Sequence, residues 1–348
     1  MVEHYPSQDG FYFPAEWSPH EATWLSWPHK EASWPGKIDS IFRVYSQFIQ
    51  ILSLGEQVCI NIRDEAMESF ARNWLEREKV DLSKIRFFHF PTNDAWCRDH
   101  GPSFLISPGF PPKKVIVDWG YNAWGNKYPP FDLDDCIPTR IGEVLSLPVY
   151  YPGIIMEGGS VEFNGKGTVL TTRSCLLHPN RNPDLSKEEI EVYLKNYYGV
   201  SQVLWLGDGI TGDDTDGHID DLTRFVAEDT VITVLEENKG DENFVPLQEN
   251  LKALKRMRIL NGKQLQIAEL PLPAPVFYEG TRLPASYANF YIANQAVIVP
   301  TFRDKNDQRA LDILQDCFPN RPVIGLDSID LIWGLGSFHC LSQQEPAL

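Results

Sequence analysis

Read for hydrophobic spacing, the chain alternates short apolar runs of β type with longer stretches of helical period. The runs VCINI (58–62), IRFFHF (85–90), KVIVDW (114–119), GTVLTT (167–172), VLWLG (203–207), TVITVL (230–235), LQIAEL (265–270) and NFYIANQAVIVPTF (289–302) are rich in β-branched and aromatic residues and predict strands. Ile38 to Leu54 places apolar residues at three- and four-residue intervals, which predicts a helix. Ser186 to Tyr198 predicts another, with Ser186 as its cap and Glu189 at the reciprocal capping position. Gln308 to Cys317 predicts a third, closed by Phe318-Pro319. Strands interleaved with helices define an α/β or α+β chain rather than an all-β sandwich. Spacing leaves three arrangements open: a doubly wound sheet, a barrel, or a ring of repeated modules, since no repeat stands out at the residue level. With no low-complexity segment and no long linker, the expectation is one continuous domain over residues 1–348.

Charge narrows the partners. With 48 acidic against 31 basic residues the formal net charge is −17, which argues against nucleic acid or an anionic membrane surface, because phosphate selects for Lys and Arg. A small cation fits better, since carboxylate-lined clefts steer cations inward. The six cysteines, Cys59, Cys97, Cys136, Cys175, Cys317 and Cys340, form no CxxC pair and no dense framework, so a reducing compartment is expected. The first residues, MVEHYPSQDGFYFPAEW, lack a basic start and an apolar run, and no apolar stretch is long enough to span a bilayer. The expectation is a cytoplasmic chain with no membrane anchor; assembly into a homo-oligomer is left open.

Four segments concentrate residues that can do chemistry. Asn93-Asp94-Ala95-Trp96-Cys97-Arg98-Asp99-His100-Gly101-Pro102 follows a predicted strand and suits a polar loop at a pocket mouth, or a capped surface turn with a plain Arg–Asp pair. In Met156-Glu157-Gly158-Gly159-Ser160 two glycines allow close backbone approach, or make a hairpin turn. Gly212-Asp213-Asp214-Thr215-Asp216-Gly217-His218-Ile219-Asp220-Asp221 gathers five aspartates around one histidine. Calcium is the obvious competitor, but the alternating ligands and closing Glu of an EF-hand loop are missing. If the segment is extended, His218 and Asp220 share a face, as a proton carrier beside a carboxylate would. The fourth is Trp333-Gly334-Leu335-Gly336-Ser337-Phe338-His339-Cys340-Leu341-Ser342-Gln343-Gln344. A lone cysteine is commonly an inert core residue. One that follows a glycine-containing loop is a candidate nucleophile, with His218 or His339 as the base it needs.

Together WCRD (96–99), EGGS (157–160), GHID (217–220) and FHC (338–340) resemble the agmatine deiminase family of the guanidino-group-modifying (pentein) superfamily, which is related to the bacterial peptidyl-arginine deiminases. Gly120-Tyr121-Asn122-Ala123-Trp124-Gly125, Asn180-Arg181-Asn182-Pro183 and the run Ser286 to Asp304 extend the resemblance over nearly the whole chain. It departs at Leu335 and Ser337, where the more common form is a continuous glycine run followed by Asn. The resemblance implies a propeller-like α/β ring of five ββαβ-type modules with the site in its central channel. It implies Cys340 as the covalent nucleophile and His218 as acid and base. Asp99 and Asp220 bind the guanidinium, Trp96 stacks on its plane, and Glu157 orients His218 or the substrate. No cofactor and no metal are called for.

The substrate is then a guanidine. Free arginine needs a cation to meet its α-carboxylate, whereas agmatine presents an ammonium and needs acid, so Asp213 and Asp214, with Asp216 beside them, favour agmatine. Peptidyl-arginine is the leading alternative substrate. An amidinotransferase and a guanidine-binding module are the alternatives of other classes.

Overall fold

The computed structural model describes residues 4–111 and 113–348. Among these, four three-stranded sheets repeat one pattern: two neighbouring strands run antiparallel, and a third returns parallel to the second. They are Ser103–Ser107, Lys113–Val117 and Val149–Tyr150; Val161–Phe163, Thr168–Thr172 and Gln202–Leu206; Thr223–Ala227, Thr230–Leu235 and Gln266–Pro271; and Tyr291–Ile292, Val297–Thr301 and Val323–Asp327. A parallel return needs a crossover, and a helix supplies it each time: Ile137–Leu145, Lys187–Tyr198, Phe244–Leu254 and Asp307–Cys317. A four-stranded sheet joins the two ends of the chain. In it Ser342–Pro346 pairs antiparallel with His20–Ser26, Gln57–Asn61 returns parallel after helix Ile38–Ser53, and Ile85–Phe88 adds a further parallel strand. The molecule is a mixed α/β protein.

Local sequence explains the elements that hydrophobic period predicts. Helix Ile38–Ser53 buries Ile41, Tyr45, Phe48, Ile49 and Leu52 on one side. Helix Lys187–Tyr198 begins on the reciprocal Ser186–Glu189 capping pair and ends at Gly199, whose φ of 67° costs a glycine little. The single apolar run 289–302 breaks into two strands. Asn294 turns the chain between them, and its side-chain amide donates to the carbonyls of His20 and Gly55.

Strand Ser342–Pro346 has no apolar signal, yet every residue in it is buried. Its polar groups are met inside: Lys114 Nζ donates to Glu345 Oε1 at 2.7 Å, Trp24 Nε1 to Glu345 Oε2 at 2.8 Å, and Arg98 Nη1 to Gln344 Oε1 at 2.7 Å. This strand holds the chain immediately after Cys340 in register beside His20–Ser26. No helix among the described residues is long and apolar enough to cross a membrane.

Candidate active site

Each of the four segments singled out in the sequence is a tight turn beside a strand. Cys97–His100 and Phe338–Leu341 are single helical turns, and Gly158–Ser160 and Ile219–Asp221 are 3-10 turns. Packing at Gly159 brings three of them together, and Asp220 joins the fourth through His339 and Cys340. A Cβ at Gly159 would lie 2.6 Å from His218 Nδ1, 2.9 Å from Asp99 Oδ1 and 3.1 Å from Asp220 Oδ2. At Gly158 it would lie 2.1 Å from the Arg98 carbonyl oxygen. The two glycines therefore let backbone pass close to polar groups of two other segments, 93–102 and 212–221, and no hairpin forms at them.

The 3-10 turn corrects one expectation. His218 and Asp220 do not flank one face of an extended strand. Asp220 Oδ2 instead bonds His339 Nδ1 at 2.7 Å, and His339 Nε2 bonds Glu16 Oε2 at 2.8 Å. Both ring nitrogens of His339 are thus committed, which makes it a positioning residue. His218 differs: it is 1% exposed, Nδ1 stands 3.8 Å from Asp99 Oδ1, and among the described residues neither ring nitrogen has an oxygen or nitrogen partner within hydrogen-bond distance, the Cys175 thiol being its neighbour. Glu157 Oε2 and Asp220 Oδ1 are likewise buried without a partner. Buried polar atoms are usually satisfied, so four of them around one point mark a place built to receive a polar group.

Electrostatics agree with that reading. Burial, together with the neighbouring Asp220 and Glu157 carboxylates, pushes Asp99 up to about 6, although His218 and the Gly159 N–H at 2.9 Å oppose the rise. Burial alone would lower His218, but Asp99, the Cys175 sulfur and Asp220 raise it well above the ordinary imidazole range. Burial favours the neutral form of Asp220 as well; there the bond and charge of His339 win and hold it low. Burial and the carboxylates of Asp220, Asp221 and Asp99 push the Cys340 thiol well up. Without a bound cation, the site holds a thiol.

Cys340 is held by Asn289. The Asn289 Nδ2 amide donates to Cys340 Sγ at 3.0 Å and to Asp221 Oδ1 at 3.0 Å, while its Oδ1 accepts from the backbone N–H groups of Ser337 and Cys340 at 3.2 and 3.3 Å. Cys340 Sγ lies 3.5 Å from Asp220 Oδ2. The glycines before it are again a packing requirement: a Cβ on Gly334 or Gly336 would come within 2.7 or 2.6 Å of the Trp96 ring. Leu335 takes φ 69°, a conformation that glycine adopts freely and leucine at a cost, where the resemblance expects a glycine.

Three contributors had no assigned role from sequence: Asn289, Glu16 and Trp124. Trp124 Nε1 donates to Asp99 Oδ2 at 3.0 Å. It does so from a turn in which Ala123, Trp124, Gly125 and Asn126 all have positive φ, fixed by the Asn122 side chain accepting from Gly125 N at 2.8 Å. Both Trp124 and Asn289 lie inside stretches that carried the resemblance. Glu16 does not, and nothing in its local sequence marks a buried carboxylate shared by His339, Arg98 and Arg224.

A cavity of about 200 Å³ opens at Cys340, lined by Trp96, Asp99, Trp124 and Trp333 and also by Asp94, Asp214 and Tyr128. The loop aspartates divide. Asp213 spends both oxygens on its own loop, accepting from Thr215 N at 2.8 Å and from His218 N at 2.9 Å, so it holds His218 in place and does not line the cavity. Asp216 pairs with Arg181 at 2.5 Å and Lys127 at 2.9 Å. Asp214 faces the cavity beside Tyr128, with Lys127 Nζ 3.3 Å away. Glu157 is fully buried and outside the cavity lining, its Oε1 accepting from Arg181 Nε at 2.6 Å.

Comparisons with known proteins identify the family. The sequence model of the Porphyromonas-type peptidyl-arginine deiminase family matches residues 12–346, and the chain belongs to that family. A Legionella pneumophila (strain Paris) protein with a provisional agmatine deiminase name is 36% identical over 344 residues, covering 98% of this chain and 97% of its own. The agmatine deiminase of Enterococcus faecalis superposes with a TM-score of 0.91 at 34% identity, covering 99% of this chain and 98% of its own. A substituted C. jejuni agmatine deiminase, solved with substrate bound, gives 0.87 at 34% identity and 96% coverage of each chain. The amidinotransferase SxtG of Microseira wollei, at 14% identity and a TM-score of 0.55, shares the fold alone.

Proposed function

We propose that this chain is an agmatine deiminase: it hydrolyses the guanidinium of agmatine to N-carbamoylputrescine and ammonia through an amidino-cysteine intermediate. The observation that carries this is the meeting of Cys340, His218, Asp99 and Asp220, two of which, Cys340 and Asp99, line a cavity that also holds Asp94 and Asp214. We infer also that the five sheets of like topology are five modules of one propeller-like domain, a pseudo-fivefold ring with the site in its central channel. The repeated strand pairing supports this. The working setting is the cytoplasm, with a small free cation as substrate.

A guanidinium entering between Asp99 and Asp220 exchanges water for charge-assisted N–H···O bonds. Trp96 and Trp124 border it, and an aromatic face favours a planar cation. The incoming positive charge also offsets the carboxylates that hold Cys340 protonated, so binding itself promotes the thiolate, the thiol proton passing to solvent. The thiolate sulfur then bonds the guanidinium carbon. The tetrahedral adduct expels one nitrogen, which takes a proton from imidazolium His218 and leaves as ammonia. Water attacks the amidino-thioether, its proton passing to the now neutral His218; the C–S bond breaks and the ureido product departs. His218 held above its usual range supplies the acid first and the base second.

The family name points to a second reading, a peptidyl-arginine substrate. Ammonia release measured side by side on agmatine, arginine and a blocked arginine peptide decides between them. Turnover of agmatine foremost is expected; a preference for the peptide would overturn the agmatine assignment.

A further inference from the structure

Cys175 is a buried thiol that deimination does not use. It sits on the single helical turn Arg173–Leu176, capped by Thr172 Oγ1, which accepts from Cys175 N at 3.3 Å. Its sulfur, a carboxylate oxygen of Glu157 and a ring nitrogen of His218 all lie within 4.8 Å of one another. Glu157 Oε2 and both His218 nitrogens are fully buried and unpartnered, since Arg181 engages only Glu157 Oε1. Bonds of about 2.0–2.3 Å to S, N and O at tetrahedral angles put zinc's ligands roughly 3.5 Å apart. A small inward shift of three side chains therefore closes the trio on an ion, with water as fourth ligand.

We propose that Glu157, Cys175 and His218 form a binding site for a thiophilic divalent cation, zinc by preference. The donor set selects against calcium and magnesium, which take oxygen, and favours zinc, which takes sulfur and imidazole. Charge around the trio is mixed: Asp99, 3.8 Å from His218, favours a dication, while Arg181, 2.6 Å from Glu157, opposes one. Binding releases the Cys175 thiol proton and the His218 imidazolium proton to solvent. The ion also occupies the ring that carries protons in the reaction, so zinc inhibits turnover and chelation restores it. That inhibition rests on the role proposed for His218; the binding rests on donor geometry alone.

Cobalt is the probe for binding, because a cobalt–thiolate bond gives a charge-transfer band that does not depend on catalysis. Full-length Cys340→Ser protein is expected to bind one equivalent of Co²⁺ with that band, to lose it when zinc is added, and to lack it once Cys175→Ser is introduced as well. A band absent from Cys340→Ser alone would put the metal on the nucleophile; a band that survives Cys175→Ser would put it elsewhere. Either result overturns the site. Should the double variant not fold, zinc-edge X-ray absorption on the Cys340→Ser protein carries the test: one sulfur among lighter ligands is expected, and a shell with no sulfur sinks the proposal. A wild-type chain that binds cobalt as described but turns over no agmatine would count against the proposed reaction and leave the site standing.

Discussion

At the scale of single residues, the site sets carboxylates at different protonation levels by their surroundings. Asp220 is held low by His339, whereas Asp99 is raised to about 6 by burial and by its acidic neighbours. Asp99 must be ionised to take a guanidinium, so kcat/KM for agmatine should fall tenfold per pH unit below about 6 and level off above it. A rate profile flat down to pH 5 would sink that assignment. Asp99→Asn should remove the acid limb and lower kcat/KM by about a hundredfold to ten-thousandfold, the loss of two charged hydrogen bonds at about 1.5–3 kcal/mol each. Cys340→Ser should abolish turnover with the fold retained, and mass spectrometry of trapped wild-type enzyme should place the adduct on Cys340. Cys97 is the control: it is fully buried and pushed up to about 12, so an adduct there would reverse the roles drawn from the structure.

At the scale of elements, function depends on turns whose backbone leaves no room for a side chain or requires a left-handed conformation. Gly159→Ala puts a methyl against His218, Asp99 and Asp220 without any positive-φ penalty, so it should cost activity well before stability. Gly125→Ala combines φ +88° with a Cβ 2.3 Å from Asn180, and should lower unfolding free energy by about 1–3 kcal/mol, read from denaturant midpoints. Trp124→Phe keeps the ring but removes the N–H donated to Asp99 Oδ2. One hydrogen bond of about 0.5–1.5 kcal/mol then raises the Asp99 acid limb by roughly half to one pH unit; an unmoved limb would mean that this bond does not tune the carboxylate. The same turns mark the limit of sequence reading. The Ser186 cap and the helical period of residues 38–54 are signals written within a few residues, and both elements form where expected. The GHID segment looks extended by spacing because nothing local tells of the 3-10 turn that aims Asp220 at His339. Strand Ser342–Pro346 is invisible because its burial is made possible by partners as distant as Lys114 and Trp24.

At the scale of the whole molecule, the acidic balance of the chain takes local form. Period and spacing alone left the sheet architecture open; the motif set in its order along the chain carried the family, and with it Cys340 as the proposed nucleophile. Composition alone suggested a cationic partner, and the cavity gives that a place: Asp94, Asp99 and Asp214 line it, with Lys30 3.3 Å from Asp94 and Lys127 3.3 Å from Asp214. Sequence had credited Asp213 equally with Asp214, because adjacent aspartates cannot be told apart until the loop assigns one to its own backbone and the other to the cavity. Agmatine and arginine differ only by an α-carboxylate, which would have to lie near Asp94 and Asp214. Seating that added carboxylate beside them should cost about 3 kcal/mol or more, so kcat/KM for agmatine should exceed that for arginine by at least about a hundredfold. Asp214→Asn should narrow the ratio mainly by raising KM for agmatine, with kcat nearly unchanged, since the contact lies away from the reacting carbon. Comparable efficiencies on the two substrates, or an Asp214→Asn enzyme with an unaltered ratio, would show that the outer carboxylates do not read the tail of the substrate.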